Sequence, residues 1–519
     1  MHHTALNPGF PRHFPSVPRR LLRGLSLAAL SALVGAFGCS SDAEPNPAAP
    51  QMPGGASPEM MNPSGEMPNV PDMMGQNPGA PTGEGNPGGD IGLEGGGQGG
   101  SDTPAGQGTE NPVETPEPDQ FVEDNGVDCE IPELPAFADL QPLQTLPDPF
   151  LGLNGERITA RAQWRCRRQE IRKLAERFIY GEKPAKPEAV SGTVSGTNIS
   201  VDVQNQGQTA SFTATITLPP GATGPVPAII GYGGSGFQDA ILAEGAAFIN
   251  YNVTNVGDET TYSPNKVGAF YTVNPDRQDT GMLLAWAWGV SRMIDVIEAS
   301  GAQIIDPTGI GVHGCSRSGK GAFIAGAFDE RVALTIPFES GMAGVPAFRM
   351  IVPEGGEVLR NAIEYRPWAG EAYRSFLQLT VFDQNDTAGR DADNQAAGQL
   401  QFLLPVDTHE VIGMVAPRGL FVMGNPGIVN LAPRSENITV QAGAEIYSAL
   451  GAAENLSYSS NTTNGTHCAF RQEYVPLLQQ NIRKFLKKDT TATTGTLDPD
   501  ARLAADLGAS VAWETPTLQ

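Results

Sequence analysis

In GVHGCSRSGKGAF, residues 311–323, a serine stands between Cys315 and Arg317, with glycines at 314 and 319. An apolar run that ends in glycine, presents a serine and restarts in small residues predicts a strand-to-helix turn. Such a turn lifts the Ser316 hydroxyl off the sheet and aims the next backbone N–H at an oxyanion forming on an attacked carbonyl. The helix N-terminus adds positive potential there. A serine that merely caps a helix looks the same locally. The strict G-x-S-x-G pattern is also not met, because position 318 is Ser and the glycine falls at 319. Ser316 is therefore a nucleophile only if the chain also supplies a base and an acid.

The base follows by elimination. Of six histidines, three lie within the first thirteen residues, which leaves His313, His409 and His467. His313 lies inside the strand that leads to Ser316 and reads as buried structure. His409, in LPVDTHEVIG, falls in the first turn of a helix that Asp407 can cap. His467, in NTTNGTHCAF, occupies a polar loop between the last strand and the closing helix. That is where a hydrolase with chain order serine, acid, histidine keeps its base. The acid has two usual places. The later one, the loop GNPGIVNLAPRS at 424–435, holds no Asp or Glu. The earlier one, the strand end in PFESG, offers Glu339, which would orient the imidazole. If Ser316 and His467 meet, their neighbours Cys315 and Cys468 come within the roughly 4.4–6.8 Å Cα separation of a disulfide. Cys129 and Cys166 then remain to pair.

These residues need a sheet to hold them at one edge. SFTATITL (211–218) alternates as a half-buried strand does, and VPAIIGY (226–232) and GAAFINYNV (245–253) are continuous apolar runs. Residues 281–299 predict a long helix. IGVHG (310–314), VALTIPF (332–338), RGLFVMG (418–424) and NLSYSS (455–460) predict further strands, and 470–488 a closing amphipathic helix. Strands alternating with helices predict an α/β fold with a mostly parallel sheet.

The flanks are different. Residues 1–38 have the basic start and short apolar core of an export signal, LSLAALSALVGAF, too short to span a bilayer. Gly38-Cys39-Ser40 resembles a lipoprotein cleavage site that would leave Cys39 lipidated. No later transmembrane stretch is evident. Residues 39–127 are rich in Gly, Pro, Met and Asn and cannot bury enough apolar surface to offset ordering. They predict a flexible tether with an end-to-end distance of roughly 50 Å. The folded domain is expected over 128–488, followed by a polar tail over 489–519 that stays outside it. With 33 basic and 57 acidic residues the net charge is −24, which argues against nucleic acid and anionic membrane as partners. Any membrane attachment would come through the Cys39 anchor, and a monomer is expected.

LPDPF (146–150), CRRQEI (166–171), PAIIGYGG (227–234), AWAWGVSRMID (285–295), GCSRSGK (314–320), PFESG (337–341), LPVDTHE (404–410), APRGL (416–420) and HCAF (467–470) together resemble the glucuronoyl esterases, carbohydrate esterase family 15. The resemblance spans about 129–488. It implies an α/β-hydrolase, a three-layer αβα sandwich, that cleaves esters of 4-O-methyl-glucuronic acid such as those joining glucuronoxylan to lignin alcohols. It also implies Ser316, Glu339 and His467 as the triad, and disulfides Cys315–Cys468 and Cys129–Cys166. No metal and no organic cofactor are implied. Arg317 resembles the family arginine that stabilises the oxyanion, and Lys320 the lysine that contacts sugar hydroxyls. Glu364 and Trp368, in EYRPWAG, resemble sugar-contacting residues with the spacing one residue off, and Glu357 stands for another polar contact. One departure is plain: where many members carry a Trp in the loop before Pro433-Arg434-Ser435, this chain has Asn430. Two other readings remain, the first of them favoured by that drift. One is a broader carboxylesterase such as an acetyl-xylan esterase, and the other a carbohydrate-binding surface protein without catalysis.

Overall fold

A computed structural model describes residues 122–233, 236–351, 354–357, 359–377 and 400–519. The export signal, Cys39 and the tether as far as residue 121 lie outside the described residues.

Ten strands form one sheet in the order β1-β2-β3-β5-β4-β6-β7-β8-β9-β10. They are β1 Ala189–Val194, β2 Asn198–Asn205, β3 Gln208–Thr217, β4 Val226–Gly231, β5 Ala247–Tyr251, β6 Ile305–Cys315, β7 Leu334–Phe338, β8 Gly419–Met423, β9 Leu456–Ser459 and β10 Leu497–Asp498. The pairs β1–β2, β2–β3 and β3–β5 are antiparallel. Every pairing from β5 through β4 to β10 is parallel.

The helices that matter for the site are α1 Trp164–Ala175, α2 Gln238–Ala243, α3 Met282–Ala299, α4 Arg317–Phe328, α5 Thr408–Val415, α6 Pro433–Ala449 and α7 Val475–Asn481. Successive strand residues face opposite sides, so the sheet carries two cores. Ala228 and Ile230 pack with α1, α3, α4, α5 and α6 on one face. Ile229, Phe248, Ile336 and Phe421 pack with α2 and α7 on the other. This is the expected three-layer α/β-hydrolase sandwich, with the continuous apolar runs buried on both faces.

The structure corrects both ends of the expected domain. Residues 122–127, assigned to the tether, belong to the fold. Glu123 pairs with Lys183 at 2.7 Å and with Arg292, all of them buried or nearly so. Its backbone carbonyl also accepts from Glu330 N–H at 3.1 Å. Arg292 and Arg331 also pair with Asp295, but among the described residues Glu123 is the only ion-pair partner of buried Lys183, so losing it would strand that cation, which is costly.

Residues 489–519, expected to stay outside, complete the sheet as β10, with Leu497 opposite Tyr458 and Asp498 opposite Ser459. Leu503 and Leu518 are buried. Trp513 stacks on His409 with ring centroids 5.3 Å apart, and Ser510 O accepts from Leu146 N–H at 2.8 Å. The sequence reading also passed over β1, β2 and α6. In β2 the alternation is visible in retrospect, with Ile199, Val201 and Val203 buried between polar residues.

Candidate active site

The parallel strands end at one edge, and the predicted residues stand there. Ser316 follows β6 and begins the turn into α4, Glu339 follows β7, and His467 lies in the loop between β9 and α7. In sheets of this kind the chemistry gathers outside the carboxyl ends of the strands.

Ser316 sits at φ 59° and ψ −129°. Among the described residues only eight non-glycine positions have positive φ, and Ser316, Glu339 (φ 46°) and Cys468 (φ 60°) are three of them. Backbone strain of this kind persists where surrounding contacts over-determine it, and it concentrates at functional sites. The displaced glycine of the motif has a packing cause. A Cβ at position 319 would stand 2.7 Å from the Phe338 carbonyl oxygen and 2.9 Å from that of Gly314. Position 318 has no such need, and its serine donates to the Tyr232 carbonyl at 2.7 Å. The turn therefore needs glycine one residue later than the usual pattern.

His467 Nδ1–H donates to Glu339 Oε2 at 2.6 Å. The same oxygen accepts from Cys468 N–H at 2.7 Å. The other carboxylate oxygen accepts from Asn425 Nδ2 at 2.9 Å and is ion-paired with Arg471 at 2.8 Å. Burial of Glu339 opposes its charge. The hydrogen bonds from His467, Cys468 and Asn425 and the Arg471 guanidinium outweigh that, and its pKa is lowered. A carboxylate held ionised in this way fixes the imidazole tautomer with Nε2 free to act as a base. His467 is exposed, Ser316 half-buried and Arg317 exposed, so the site opens to solvent.

The other two histidines are structural, as expected. His313 is buried, bonds through Nδ1 to Ile336 O at 2.9 Å, and has its pKa lowered to about 4 by burial. His409 is buried with its Nε2 on Pro147 O at 2.9 Å, and burial likewise lowers its pKa to about 4. Asp407 caps α5 in a capping box with Glu410.

Cys315 and Cys468 form a disulfide with Cα atoms 5.7 Å apart, and Cys129 and Cys166 form the second at 5.4 Å. The first fastens the histidine loop to the serine turn across 153 residues of chain. Loop-closure entropy alone gives it about 5 kcal/mol. Replacing both Cys315 and Cys468 by serine is expected to cost several kcal/mol in urea unfolding and to lower kcat, because His467 loses its neighbouring anchor. A change in stability under 1 kcal/mol would contradict this.

Lys320, one turn along α4 from Ser316, is buried. Its Nζ donates to Ser340 O at 2.6 Å and to Glu357 Oε2 at 2.8 Å, and it lies 4.8 Å from the centre of the Trp368 ring. Burial lowers its pKa, opposed by the Glu357 charge. Gly341, at φ +64°, is required here: a Cβ would stand 2.5 Å from Glu357 Oε2. Glu357 N–H donates to the backbone carbonyl of Asn430 at 2.7 Å, so the segment carrying the departure from the family pattern borders this group. Lys320, Glu357 and Trp368 are thus brought together. Glu364 is directed elsewhere, to Arg360 at 3.4 Å and Arg374 at 3.8 Å. Among the described residues it has no hydrogen bond or ion pair with Ser316, His467 or Lys320.

Sequence reasoning missed Asn425, Arg471 and Glu259. Arg471 Nη2 and Nη1 donate to Asn464 O, Thr466 O and Ala469 O, so one buried guanidinium both shapes the histidine loop and neutralises Glu339. Its spacing of four after His467 was the only available signal. The loop empty of carboxylates, 424–435, turns out to supply an amide to the acid instead.

Behind the acid lies Glu436 in the first turn of α6, buried, with its Oε1 accepting from Tyr458 OH at 3.4 Å. Burial, and then the charge of Glu339, raise its pKa to about 8. Unfolded, a glutamate titrates near 4.3. The folded state therefore loses stability relative to the unfolded chain as pH rises from about 4.3 to about 8, and no further above that. Glu436→Gln, which copies the protonated form, is expected to match the wild type near pH 4. At pH 9 it should be more stable by on the order of a few kcal/mol. Melting curves across pH test this, and parallel curves would refute it.

A serine on a strained strand-to-helix turn, a histidine on a later loop and a carboxylate at the next strand end, all on this sheet, define a serine esterase of the α/β-hydrolase class. A family model described as glucuronyl esterase, fungi, matches residues 201–451. The 4-O-methyl-glucuronoyl methylesterase of Hypocrea jecorina is 34% identical over 390 residues, 74% of this chain and 78% of the relative. The structure of the Sporotrichum thermophile glucuronoyl esterase in complex with methyl 4-O-methyl-β-D-glucopyranuronate matches with a TM-score of 0.64 at 32% identity, over 75% of this chain and all of that one. The family 15 glucuronoyl esterase of Caldicellulosiruptor kristjansonii matches with a TM-score of 0.60 at 27% identity, over 73% of this chain and 98% of that one. The chain belongs to the glucuronoyl esterases, carbohydrate esterase family 15.

Proposed function

We propose that this protein hydrolyses esters of glucuronic acid and 4-O-methyl-glucuronic acid, of the kind that join glucuronoxylan to lignin alcohols, with Ser316, His467 and Glu339 as its triad. The single observation that carries the catalytic reading is the 2.6 Å bond from His467 Nδ1–H to a carboxylate held ionised by four partners. Ser316 Oγ attacks the ester carbonyl carbon while His467 Nε2 takes its proton. The negative charge that develops on the carbonyl oxygen meets the Arg317 N–H at the head of α4 and the Arg317 guanidinium. Collapse expels the alcohol, which receives the proton from His467. Water, deprotonated by the same imidazole, then releases the uronic acid from the serine ester.

The uronate reading rests on Lys320. An ammonium has three donors, and two are taken by Ser340 O and Glu357. Among the described residues no hydrogen bond takes the third, which is left for a sugar hydroxyl, one helical turn from the nucleophile, with Trp368 and Glu357 lining the same place. The open setting of Ser316 and His467 suits an ester embedded in a polymer. Two disulfides fit an exported enzyme. We extend this to a bacterial lipoprotein anchored at Cys39, acting as a monomer. Loss of membrane partitioning in Cys39→Ser, and its retention by the wild type, test the anchor.

A broader carboxylesterase is the second reading, supported by the exposed Asn430 where the family pattern has an aromatic wall. The test is initial rates on a benzyl ester of glucuronic acid beside an acetylated xylo-oligosaccharide. Preferential uronate turnover supports the proposal. Cleavage of the acetyl ester alone supports the second reading. No turnover of either leaves only a binding scaffold.

A further inference from the structure

We propose that Glu259 is a positioning residue that holds the Arg317 guanidinium in place for the oxyanion and couples it to the Trp368 wall. The inference rests on the esterase reading above and extends it to a residue to which the sequence motifs gave no role.

Glu259 lies in the loop that follows β5. Its Oε1 is ion-paired with Arg317 Nε at 2.9 Å, and its Oε2 accepts from Trp368 Nε1–H at 2.7 Å. Oε2 is thus committed to the ring over Lys320, and Oε1 to the group beside the nucleophile, with the Arg366 guanidinium farther from it at 3.9 Å. Arg317 and Lys320 are three residues apart on α4, so their side chains rise from neighbouring positions on one helix. Trp368 lies 4.8 Å from Lys320 Nζ. The contacts Arg317–Glu259–Trp368–Lys320 therefore close a ring that begins and ends on the helix carrying the nucleophile.

The loop is itself fixed. Asp258 N–H donates to Val267 O and Thr261 N–H to Asp258 O, each at 3.0 Å. Tyr262 OH donates to Tyr365 O at 2.8 Å, joining it to the segment that carries Trp368.

Arg317 needs such a holder. Its side chain is 59% exposed, and Glu259 is its only charged partner among the described residues. A free arginine side chain loses rotamer entropy each time it is ordered. An anchor at Nε removes much of that freedom in advance and leaves the two terminal nitrogens to donate. Stabilisation of a transition state depends on donors already in place when charge develops. Misplacement by about 1 Å can cost on the order of a hundredfold.

The experiment is a double-mutant cycle of Glu259→Ala and Arg317→Ala, with Glu259→Asp as the conservative variant. Steady-state rates are taken on whichever of the two esters the wild type hydrolyses, so loss of the uronate preference does not obscure the result. In the wild-type background Glu259→Ala is expected to lower kcat by about tenfold to a hundredfold, and Glu259→Asp by less. In the Arg317→Ala background the same substitution should change kcat by less than about twofold, while any effect on KM through Trp368 persists. Equal losses of kcat in both backgrounds would mean that Glu259 only supports the loop, and would overturn the proposal. So would an unchanged or increased kcat in Glu259→Ala. A wild type inactive on both esters would overturn the esterase reading and this one together.

Discussion

Ser316→Ala is expected to lower kcat on a glucuronoyl ester by about 10⁴- to 10⁶-fold, the range seen when a nucleophile is removed from a triad that works as a unit. The rate that remains comes from binding and oxyanion stabilisation alone. The melting temperature should move by no more than a few degrees. Ser316 makes its structural contacts through its backbone: its N–H donates to Phe338 O at 2.9 Å and its carbonyl accepts from Lys320 N–H at 3.0 Å. Alanine keeps both, and it carries the same Cβ penalty at φ 59°. Paired measurements of rate and calorimetric melting check this. A variant that kept a tenth of the activity would remove Ser316 from the chemistry.

Arg471→Met is the second large effect. The guanidinium and Glu339 are both fully buried, paired at 2.8 Å, and the cation lies 5.1 Å from the centre of the Phe338 ring. Removing one member of a buried pair strands the other, which costs about 3–5 kcal/mol. The histidine loop also loses its bonds to Asn464 O, Thr466 O and Ala469 O. Stability and kcat should therefore fall together. The pH dependence identifies the cause. Glu339 has a folded pKa below its unfolded value, so the stability it contributes is present above about pH 4.3 and is lost as pH falls through the folded value. That contribution is smaller in Arg471→Met, so the gap between variant and wild type should narrow on acidification. A gap that stays constant with pH in urea unfolding would assign the loss to the loop carbonyls and not to Glu339.

What could be read from the sequence was what is local. Ser316 announces itself through a run of neighbours, and His467 through its place before the closing helix. Glu339 stands out because it ends a strand while the alternative loop lacks carboxylates. The partners that make these three work were hidden for a physical reason. Asn425 reaches Glu339 across 86 residues, and Glu259 reaches Trp368 across 109. Such pairs exist only once the sheet has brought strand ends together, and nothing in a residue's neighbours records them. The C-terminal segment was misplaced for a related reason. A Thr-rich stretch reads as solvated, yet Leu497 and Asp498 needed only the open edge of β9 to become a strand. Residues 122–127 show the same in charge: Glu123 looks like one more acid in a polar tether until Lys183 and Arg292 are seen around it.

The central claim, that Ser316 is the nucleophile for a glucuronoyl ester, is tested most directly by trapping the intermediate. An aryl ester of glucuronic acid has a readily departing phenol, which favours fast acylation and accumulation of the acyl-enzyme. Rapid mixing should release a burst of phenol equal to the enzyme concentration. Acid quenching and digestion should then place one glucuronoyl group on the peptide that contains Ser316, and on none in Ser316→Ala. Steady formation of uronic acid without a burst, with that peptide unmodified and Ser316→Ala still active, would contradict the account.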